Sequence, residues 1–396
     1  MRNGDAKLYE SIRAYQEALV ESKITGSSIA GVFRGADPLA ISSISSPLIG
    51  DKEITRDTIF PIWSMSKPIT TVAMMILYDR GAFRLDDPVS KYIPYFTDIK
   101  CRPNDPNSVP YRCENDLLIF HLLTHRSGYE YYGDQAGGGP DLRFPFSDLD
   151  DFCKHLACQP LPFEPGTQYV YGLNQAILGR LVEKLSGMEF YEFLKLEIFI
   201  PLGMDRTKFY ITHEERQYLQ PLYRKTSVSV GTTVEKRIGV EYKIDDNNTG
   251  ITSDFDELSY DQGSPLQYGG EGLVSTFDDY RKFCEMLLAS GMNSGHKLIS
   301  LNSFEFMKTV VTPHSIRNGN FDNGFGFACS FFVLENTNLD GTGSPNGIFG
   351  WSGYHNTHFW VDQTNNVYGL FMTRTTPFTW EIQRQFRAAV YRALRQ

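Results

Sequence analysis

Strand-like segments lie at both ends of this chain, and a long, mostly helical stretch separates them. Residues 27–35 and 39–45 are two β-rich runs joined by a Gly/Asp/Pro turn, and residues 324–335, 347–362 and 367–374 are three more. Helical patterns occupy most of the middle third of the chain. Strands so far apart in sequence can share one sheet only if the helical stretch is an insertion.

This order of elements predicts the fold class and the domain boundaries. We expect an α/β (α+β) fold in which a central antiparallel sheet is flanked by helices and carries an inserted all-α domain. Residues 1–70 and 260–396 would form the sheet-containing lobe, and residues 71–259 the helical insertion. The irregular, loop-rich segment 206–268 would form the rim of a cleft between the lobes, which is a usual place for a binding site.

The helices are predicted from the spacing of apolar residues and from helix-end signals. Leu8, Ile12, Tyr15 and Leu19 recur every three to four residues and indicate an amphipathic N-terminal helix. Further helices are predicted over residues 64–79, 114–125, 147–158, 174–199, 277–289 and 379–394.

Composition excludes several classes of protein. With 41% apolar and 21% charged residues among 396, the chain is too apolar to be disordered and too polar for a multi-pass membrane protein. Its longest apolar run, near Val72–Leu77, is far too short to span a bilayer. A formal net charge of −9 without a Lys/Arg cluster disfavours nucleic acid as a partner. We expect a soluble globular protein that binds neither nucleic acid nor membrane.

The N-terminus and the cysteines bear on the cellular compartment. The first residues carry charges throughout and lack the continuous apolar stretch of a secretory signal. Six cysteines with no C-x-x-C spacing do not indicate a disulfide scaffold, and Cys153 and Cys158 are expected to pack without bonding. These features predict a cytoplasmic location.

A metal centre is not expected. His121 and His125 stand four residues apart on one predicted helix, a spacing that lets two imidazoles bind one ion. No glutamate lies between them, and the sequence offers no obvious third ligand. We therefore predict no metal and no organic cofactor.

A short motif at the start of one helix carries the clearest chemistry. Ser64 and Lys67 stand three residues apart in S-M-S-K, so they share one face at the positive end of a helix. A serine hydroxyl needs a base within hydrogen-bond reach to become a nucleophile, and a lysine in a dry, electropositive pocket can supply one. A second copy of the motif, Ser294 to Lys297, falls in a Gly/Asn-rich turn and is interpreted as a loop.

Further stretches extend the pattern over almost the whole chain. The segment that holds Ser64 and Lys67 resembles the nucleophile helix of the serine β-lactamase and penicillin-binding-protein superfamily. Within it, the chain is most similar to the class C branch and its family VIII carboxylesterases. Six more stretches resemble that branch in the same order: HLLTHRSG (121–128), FEPGTQYVYGLNQAILGRLVE (163–183), PLGMDRT (201–207), GGEGLVSTFDDYRKFCEMLL (269–288), GFGF (324–327) and FGWSGYHNTHFWVD (349–362).

The resemblance implies a role for each matching residue. Ser64 would be the acylated nucleophile and Lys67 its partner. Tyr171 stands at the family's Y-x-N tyrosine and would share the role of base with Lys67, because a phenol needs a nearby cation to ionise at neutral pH. The backbone N–H groups of Ser64 and Tyr354 would hold the oxyanion.

Two departures from the family pattern bear on the substrate. The tripeptide that starts at Tyr171 ends in Leu173 where β-lactamases have Asn; the neighbouring Asn174 would point elsewhere. Trp351, Ser352 and Gly353 are expected to bind substrate at the position of the K-T-G strand, with Trp in place of Lys. Both changes favour uncharged acyl substrates, although Arg374 on the next strand could restore positive charge.

Each candidate also has a purely structural interpretation. A serine that opens a helix is most often its N-cap, a tyrosine in an aromatic-rich segment is usually a packed ring, and a tryptophan is commonly a core side chain. These interpretations apply to Ser64, Tyr171 and Trp351. His125 is expected to satisfy the end of its helix or the neighbouring backbone.

The predicted function is that of a serine hydrolase, a carboxylesterase that cleaves small carboxylic esters through an acyl-enzyme. A β-lactamase or D-amino-acid peptidase and an acyltransferase would use the same residues, and a non-catalytic scaffold is the alternative from another class. The expected partner is a small-molecule ester, and the sequence does not predict the oligomeric state.

Overall fold

The computed structural model describes residues 3–48, 50–103, 108–131, 146–224, 235–237, 240–242, 251–252, 260–316 and 323–395. Much of the segment 206–268, which was expected to form the rim of the cleft, lies outside these residues. The helices and strands below are those of the described part of the chain.

The helices range from one turn to nineteen residues. They are α1 (Asn3–Glu21), α2 (Ser66–Asp79), α3 (Ile119–Leu123), α4 (Leu149–Ala157), α5 (Asn174–Ser186), α6 (Phe190–Leu194), α7 (Ile200–Leu202), α8 (Phe277–Leu288), α9 (Leu301–Lys308), α10 (Thr337–Asp340) and α11 (Trp380–Leu394).

The strands include many short ones. They are β1 (Ser28–Arg34), β2 (Asp37–Ile44), β3 (Phe60–Pro61), β4 (Lys100–Cys101), β5 (Tyr111–Arg112), β6 (Leu222–Arg224), β7 (Glu235–Arg237), β8 (Val240–Tyr242), β9 (Ile251–Thr252), β10 (Val274–Ser275), β11 (Met292–Asn293), β12 (His296–Lys297), β13 (Phe325–Phe327), β14 (Phe332–Leu334), β15 (Phe349–Ser352), β16 (His358–Asp362), β17 (Val367–Thr373) and β18 (Thr375–Thr376).

The main sheet combines strands from both ends of the chain. Its order is β13-β14-β15-β16-β17-β1-β2, and each neighbouring pair is antiparallel. Strand β1 pairs with β2 on one side and with β17 on the other, where Ser28 lies opposite Thr373. The predicted fold class is confirmed. The domain boundaries at residues 70 and 260 stay a prediction.

Helices cover both faces of this sheet. On one face, the Phe371 ring of β17 packs against Tyr15 of α1 and Phe386 of α11. On the other face, the Phe33 ring of β1 packs against Phe277 of α8. Alternate residues of a strand point to opposite faces, so the apolar runs of the sequence supply both layers of the core.

Helix α2 is buried along nearly its whole length. Every residue from Ser66 to Leu77 is buried, and the helix contacts α5, α6 and α9. A helix that is apolar on all sides is stable only when other elements enclose it. Neither α2 nor any other helix in the described part of the chain combines the length and apolarity that a membrane span requires.

Two predicted helices are shorter than expected. The helix predicted over residues 114–125 is limited to α3, because Leu118 is extended and forms a bridge with Pro88. The helix predicted over 174–199 is interrupted at Gly187, which has a φ of +73° and ends α5. Glycine adopts this left-handed conformation at little cost, so it commonly ends helices.

One disulfide was not predicted. Strands β4 and β5 pair and bring Cys101 and Cys113 together as a disulfide. Cys153 and Cys158 are free, as expected, the first buried and the second exposed. The predicted cytoplasmic location stays a prediction.

We expect replacement of Cys101 and Cys113 by alanine to lower the free energy of unfolding by about 3 kcal/mol, because the bond restricts a short loop in the unfolded chain. Urea unfolding of the double variant measures this change. Cys158→Ala, which removes an exposed free thiol, is the control and should match the parent. Equal stability of the double variant and the parent would contradict the prediction.

Candidate active site

The turn before α2 places Ser64 at the surface of a cavity. Ser64 is partly accessible, while its neighbours Trp63 and Met65 are buried in a single 3₁₀ turn. Trp63 has a φ of +48°, a conformation that bulky side chains rarely adopt. Its indole N–H donates to His355 Nδ1 at 2.9 Å, and its ring packs edge-on against Tyr354. These contacts hold the strained turn that presents the serine hydroxyl.

The amine of Lys67 is fully buried beside that hydroxyl. Its Nζ lies 3.3 Å from Ser64 Oγ, 2.6 Å from the Tyr131 hydroxyl and 2.8 Å from the Gly270 carbonyl oxygen. Glu271 Oε1 lies 3.5 Å away. A Cβ at position 270 would lie only 3.0 Å from Nζ, so a glycine there lets the backbone approach the amine.

Tyr171 lies in the same site but meets Lys67 through its ring. Lys67 Nζ is 4.9 Å from the centre of the Tyr171 ring, a cation–π distance. Among the described residues, the Tyr171 hydroxyl makes no hydrogen bond to Ser64 or Lys67. The three predicted residues therefore converge, with the phenol packed against the amine by its face.

A tight turn after β15 brings the predicted oxyanion residue close to the serine. Gly353 N–H donates to the Thr357 carbonyl oxygen at 2.8 Å. A Cβ at position 353 would overlap the Ile62 carbonyl oxygen and the Thr357 hydroxyl, so only glycine fits this approach. Ser64 and Tyr354 both line the cavity that results. The roles of their N–H groups as oxyanion donors stay a prediction.

The cavity beside Ser64 has a volume of about 690 Å³ and a largely aromatic wall. Trp351 lines this cavity, and its ring centre lies 5.6 Å from that of Tyr171 and 5.4 Å from that of Phe327. The lining aromatic residues are Tyr169, Tyr171, Phe325, Phe332, Trp351, Tyr354, Phe378 and Trp380. This composition suits an apolar or planar group.

The charged groups of the cavity wall are paired. Arg387 is buried, and its guanidinium donates to Asp340 at 2.8 Å. Arg384 forms a two-pronged pair with Glu381 at 2.9 Å. Both cations therefore already have carboxylate partners, which lowers their availability to an anionic substrate.

Comparison with known proteins identifies the family. The family model described as Beta-lactamase matches residues 14–392. The chain belongs to the β-lactamase family. The predicted resemblance to the serine β-lactamase superfamily is therefore confirmed.

Relatives and solved structures agree with this assignment. Esterase EstB of Burkholderia gladioli is 26% identical over 373 residues, covering 91% of this chain and 88% of the relative. Lovastatin esterase of Penicillium rubens is 28% identical over 258 residues, covering 61% and 58%. The structure of EstCE1, a hydrolase with promiscuous acyltransferase activity, superposes with a TM-score of 0.77 at 24% identity, covering 98% of this chain and 99% of that one.

In this β-lactamase-family chain, buried polar contacts hold Tyr171 in place. His125 stacks on the Tyr171 ring at 4.8 Å, and its Nδ1 accepts the Gly172 N–H at 3.2 Å. Asn174 Nδ2 lies 2.9 Å from the same nitrogen, and Asn174 Oδ1 accepts the Ser127 hydroxyl. Asn174 thus points away from the cavity, as expected. His125 serves the neighbouring backbone, also as expected.

The position of Arg374 does not favour the alternative that it restores positive charge to the site. Its side chain is buried, and Nη1 donates to the Gln220 carbonyl oxygen at 2.9 Å. Arg374 is not among the residues that line the cavity. Strand β17 ends at Thr373, and the next residue turns toward the segment before β6, because Tyr223 N–H donates to the Arg374 carbonyl oxygen.

The substrate-binding candidates Trp351 and Ser352 differ in hydrogen bonding. Ser352 Oγ lies 2.9 Å from His358 Nδ1, so its hydroxyl has a partner on the adjacent strand. Trp351 Nε1 is buried and has no hydrogen-bond partner among the described residues. The indole N–H is therefore a buried donor without a partner in the described part of the chain.

Two residues of the site were missed by sequence analysis. Tyr131 and Glu271 both contact Lys67, and the Tyr131 hydroxyl donates to Glu271 Oε1. A signal for Glu271 was present: it is the one charge in the Gly-rich, apolar stretch YGGEGLV (268–274), where burial would require a partner. Tyr131 directly follows Tyr129 and Glu130, and nothing in this local sequence distinguished it as a site residue.

Three largely or fully buried histidines link the stability of the protein to pH. Burial lowers the pKa of His121 to about 4, with a smaller contribution from Arg126. Burial also holds the pKa values of His125 and His358 well below the usual range, with Lys67 and Arg387 as the respective second causes. A ring with a depressed folded-state pKa stabilises the protein above its unfolded pKa of about 6.5, and that stability is lost at lower pH.

We therefore expect the free energy of unfolding to fall between pH 6.5 and 5 by up to about 1.4 kcal/mol per pH unit for each such ring. His121→Gln should reduce this slope by the contribution of one ring, measured by urea unfolding across the pH range. His296→Gln, on an exposed hairpin, is the control. An unaltered slope in the His121 variant would disprove the linkage.

Proposed function

We propose that this chain is a carboxylesterase that cleaves small, uncharged carboxylic esters through an acyl-enzyme on Ser64. One observation carries the proposal: the Ser64 hydroxyl lies 3.3 Å from a buried amine and faces a cavity with aromatic walls and paired cations. The relatives EstB and lovastatin esterase, both described as esterases, support ester substrates.

The proposed reaction has two acyl-transfer steps. Ser64 Oγ attacks the ester carbonyl carbon while the Lys67/Tyr171 pair takes its proton. The carbonyl oxygen becomes an oxyanion held by the N–H groups of Ser64 and Tyr354. The C–O bond to the alcohol then breaks, and the alcohol leaves with the proton. Water attacks the acyl-enzyme in the same way and releases the acid.

Uncharged esters fit the cavity better than anionic β-lactams. Trp351 presents an indole where the family pattern has a lysine, so this position supplies no charge. Arg384 and Arg387 are paired with Glu381 and Asp340. A carboxylate that entered would lose its hydration and gain no unpaired cation among these groups, which is unfavourable.

An acyltransferase is the second candidate. The aromatic wall of the cavity favours an alcohol over water as the attacking group, because apolar surface attracts the organic acceptor. EstCE1, whose fold this chain shares, is described as having promiscuous acyltransferase activity. Ester product formed when alcohols are added to a reaction with an activated ester would support this candidate.

Ser64→Ala should lower the turnover of nitrophenyl esters by about a thousandfold or more, because no other group forms the acyl intermediate. Hydrolysis is followed by absorbance, and the acyl adduct by intact mass with peptide mapping. Ser294→Ala, which alters the second S-x-x-K copy on an exposed hairpin, is the matched control and should retain full activity.

A parent protein that hydrolyses nitrocefin but no ester would replace the proposal with a β-lactamase. A parent that turns over neither substrate and is not labelled at Ser64 by a fluorophosphonate probe would indicate a non-catalytic scaffold.

Tyr171→Phe should lower kcat for ester hydrolysis by about 100-fold to 10,000-fold, because it removes a proton-transfer group while leaving the ring on Lys67. Stopped-flow measurement of acylation gives the rate. Tyr129→Phe is the control, since the buried Tyr129 hydroxyl has no hydrogen-bond partner among the described residues. An unchanged acylation rate in Tyr171→Phe would assign the base role to Lys67 alone.

A further inference from the structure

Glu271 places a buried carboxylate at the centre of the site. Its side chain is 4% exposed, and Oε1 contacts both Lys67 Nζ and the Tyr131 hydroxyl. Its second oxygen, Oε2, is buried and has no hydrogen-bond partner among the described residues. A carboxylate can accept a proton on such an oxygen without breaking an existing hydrogen bond.

The contacts of Lys67 show where its own proton can go. An ammonium has no lone pair, so Lys67 must release one proton before it can accept that of Ser64. The Gly270 carbonyl accepts a hydrogen bond but cannot hold a proton. The Tyr131 hydroxyl, 2.6 Å from Nζ, accepts from Lys67 and donates to Glu271 Oε1. This chain of hydrogen bonds leads from the amine to the carboxylate.

We propose that Glu271 stores the proton of Lys67, with Tyr131 as the relay, so that Lys67 can act as the base for Ser64. This assignment rests on the proposed function and names a residue outside its Ser64, Lys67 and Tyr171. Glu271 does not touch the substrate. It is a positioning and proton-holding residue that acts through Lys67.

The proton transfers balance at every step. Lys67 passes one proton to the Tyr131 oxygen as the hydroxyl proton of Tyr131 moves to Glu271, which leaves a neutral amine, a phenol and a carboxylic acid. The freed lone pair of Lys67 takes the Ser64 proton as Oγ bonds to the carbonyl carbon, and the departing alcohol takes that proton from Lys67. The pair holds the same total number of protons before and after acylation.

This balance predicts how rate depends on pH. In the parent, the Lys67–Glu271 pair holds one dissociable proton as the ion pair, and it holds the same number in its active form with a neutral amine and a carboxylic acid. The pair therefore reaches the active form without exchanging a proton with solvent. With glutamine at position 271, the amine becomes a base only by losing its proton to solvent. The other titratable groups that face the pair among the described residues are Tyr131, Tyr171 and His125, and burial keeps His125 neutral over pH 6–9.

The test is Glu271→Gln, which keeps the shape of the side chain and an oxygen that can accept from Lys67. We expect kcat/KM for a nitrophenyl ester to fall by about 100-fold at pH 7, an effect typical of general-base loss. The remaining rate should rise with increasing pH, because the amine must then lose its proton to solvent, while the parent shows a plateau. Glu192→Gln, at a half-exposed ion pair with Lys195, is the matched control.

Tyr131→Phe tests the relay with Glu271 in place. We expect about a tenfold loss of kcat/KM with the plateau retained, because the 3.5 Å contact between Lys67 and Glu271 remains as a poorer path. Circular dichroism and thermal unfolding establish that both variants fold. A Tyr131→Phe rate equal to that of the parent would contradict the relay.

The outcomes separate this assignment from the proposed function. A parent that forms no acyl adduct at Ser64 overturns both. If the parent is active and the rate of Glu271→Gln is within threefold of the parent rate, only the proposal that Glu271 stores the proton is overturned. If kcat/KM of a folded Glu271→Gln variant is lowered by the same factor at every pH, the substitution has only displaced Lys67. This outcome also overturns the proposal that Glu271 stores the proton.

Discussion

The burial of the Lys67 amine is the constraint on which the site depends. Removing an amine from water costs free energy unless protein groups replace the lost hydrogen bonds. Helix α2 carries Lys67, the segment before β10 supplies Gly270 and Glu271, and the residues after α3 supply Tyr131. Elements that are remote in sequence must therefore assemble around one nitrogen, and Ser64 takes its position from that assembly.

Charged groups of the cavity wall are also paired with groups of opposite charge. Arg387 is neutralised by Asp340, Arg384 by Glu381, and Lys67 by its own partners. The described cavity wall thus offers aromatic surface and few unsatisfied polar groups, of which Trp351 Nε1 is one. Recognition of the proposed neutral ester would then depend mainly on shape and dispersion.

Local sequence pattern was sufficient for much of the fold and for the motif residues. The spacing of Leu8, Ile12, Tyr15 and Leu19 predicted the buried face of α1, and each of these side chains is buried. Strand-like runs at both ends predicted a shared sheet, which β1 and β17 form. These successes share one cause, since periodic apolar residues report burial directly.

Other features depend on contacts that no local pattern encodes. Tyr131 and Glu271 lie 64 and 204 residues from Lys67, so their contacts with it arise only in the folded chain. The continuous pattern over 174–199 hid the break at Gly187, because both halves of the segment are amphipathic. Arg374 was predicted to lie on the last strand, but that strand ends at Thr373, and the Arg374 side chain donates to the Gln220 carbonyl oxygen.

The first turn of α11 has a consequence for how this protein can diversify. Trp380, Glu381 and Arg384 line the cavity from a helix that holds none of the groups proposed to perform the chemistry. Substitutions there would reshape the compartment for the acyl group while leaving the nucleophile turn and the lysine untouched. Part of the cavity wall thus lies on an element separate from the proposed reactive groups, and selection can alter that part while preserving them.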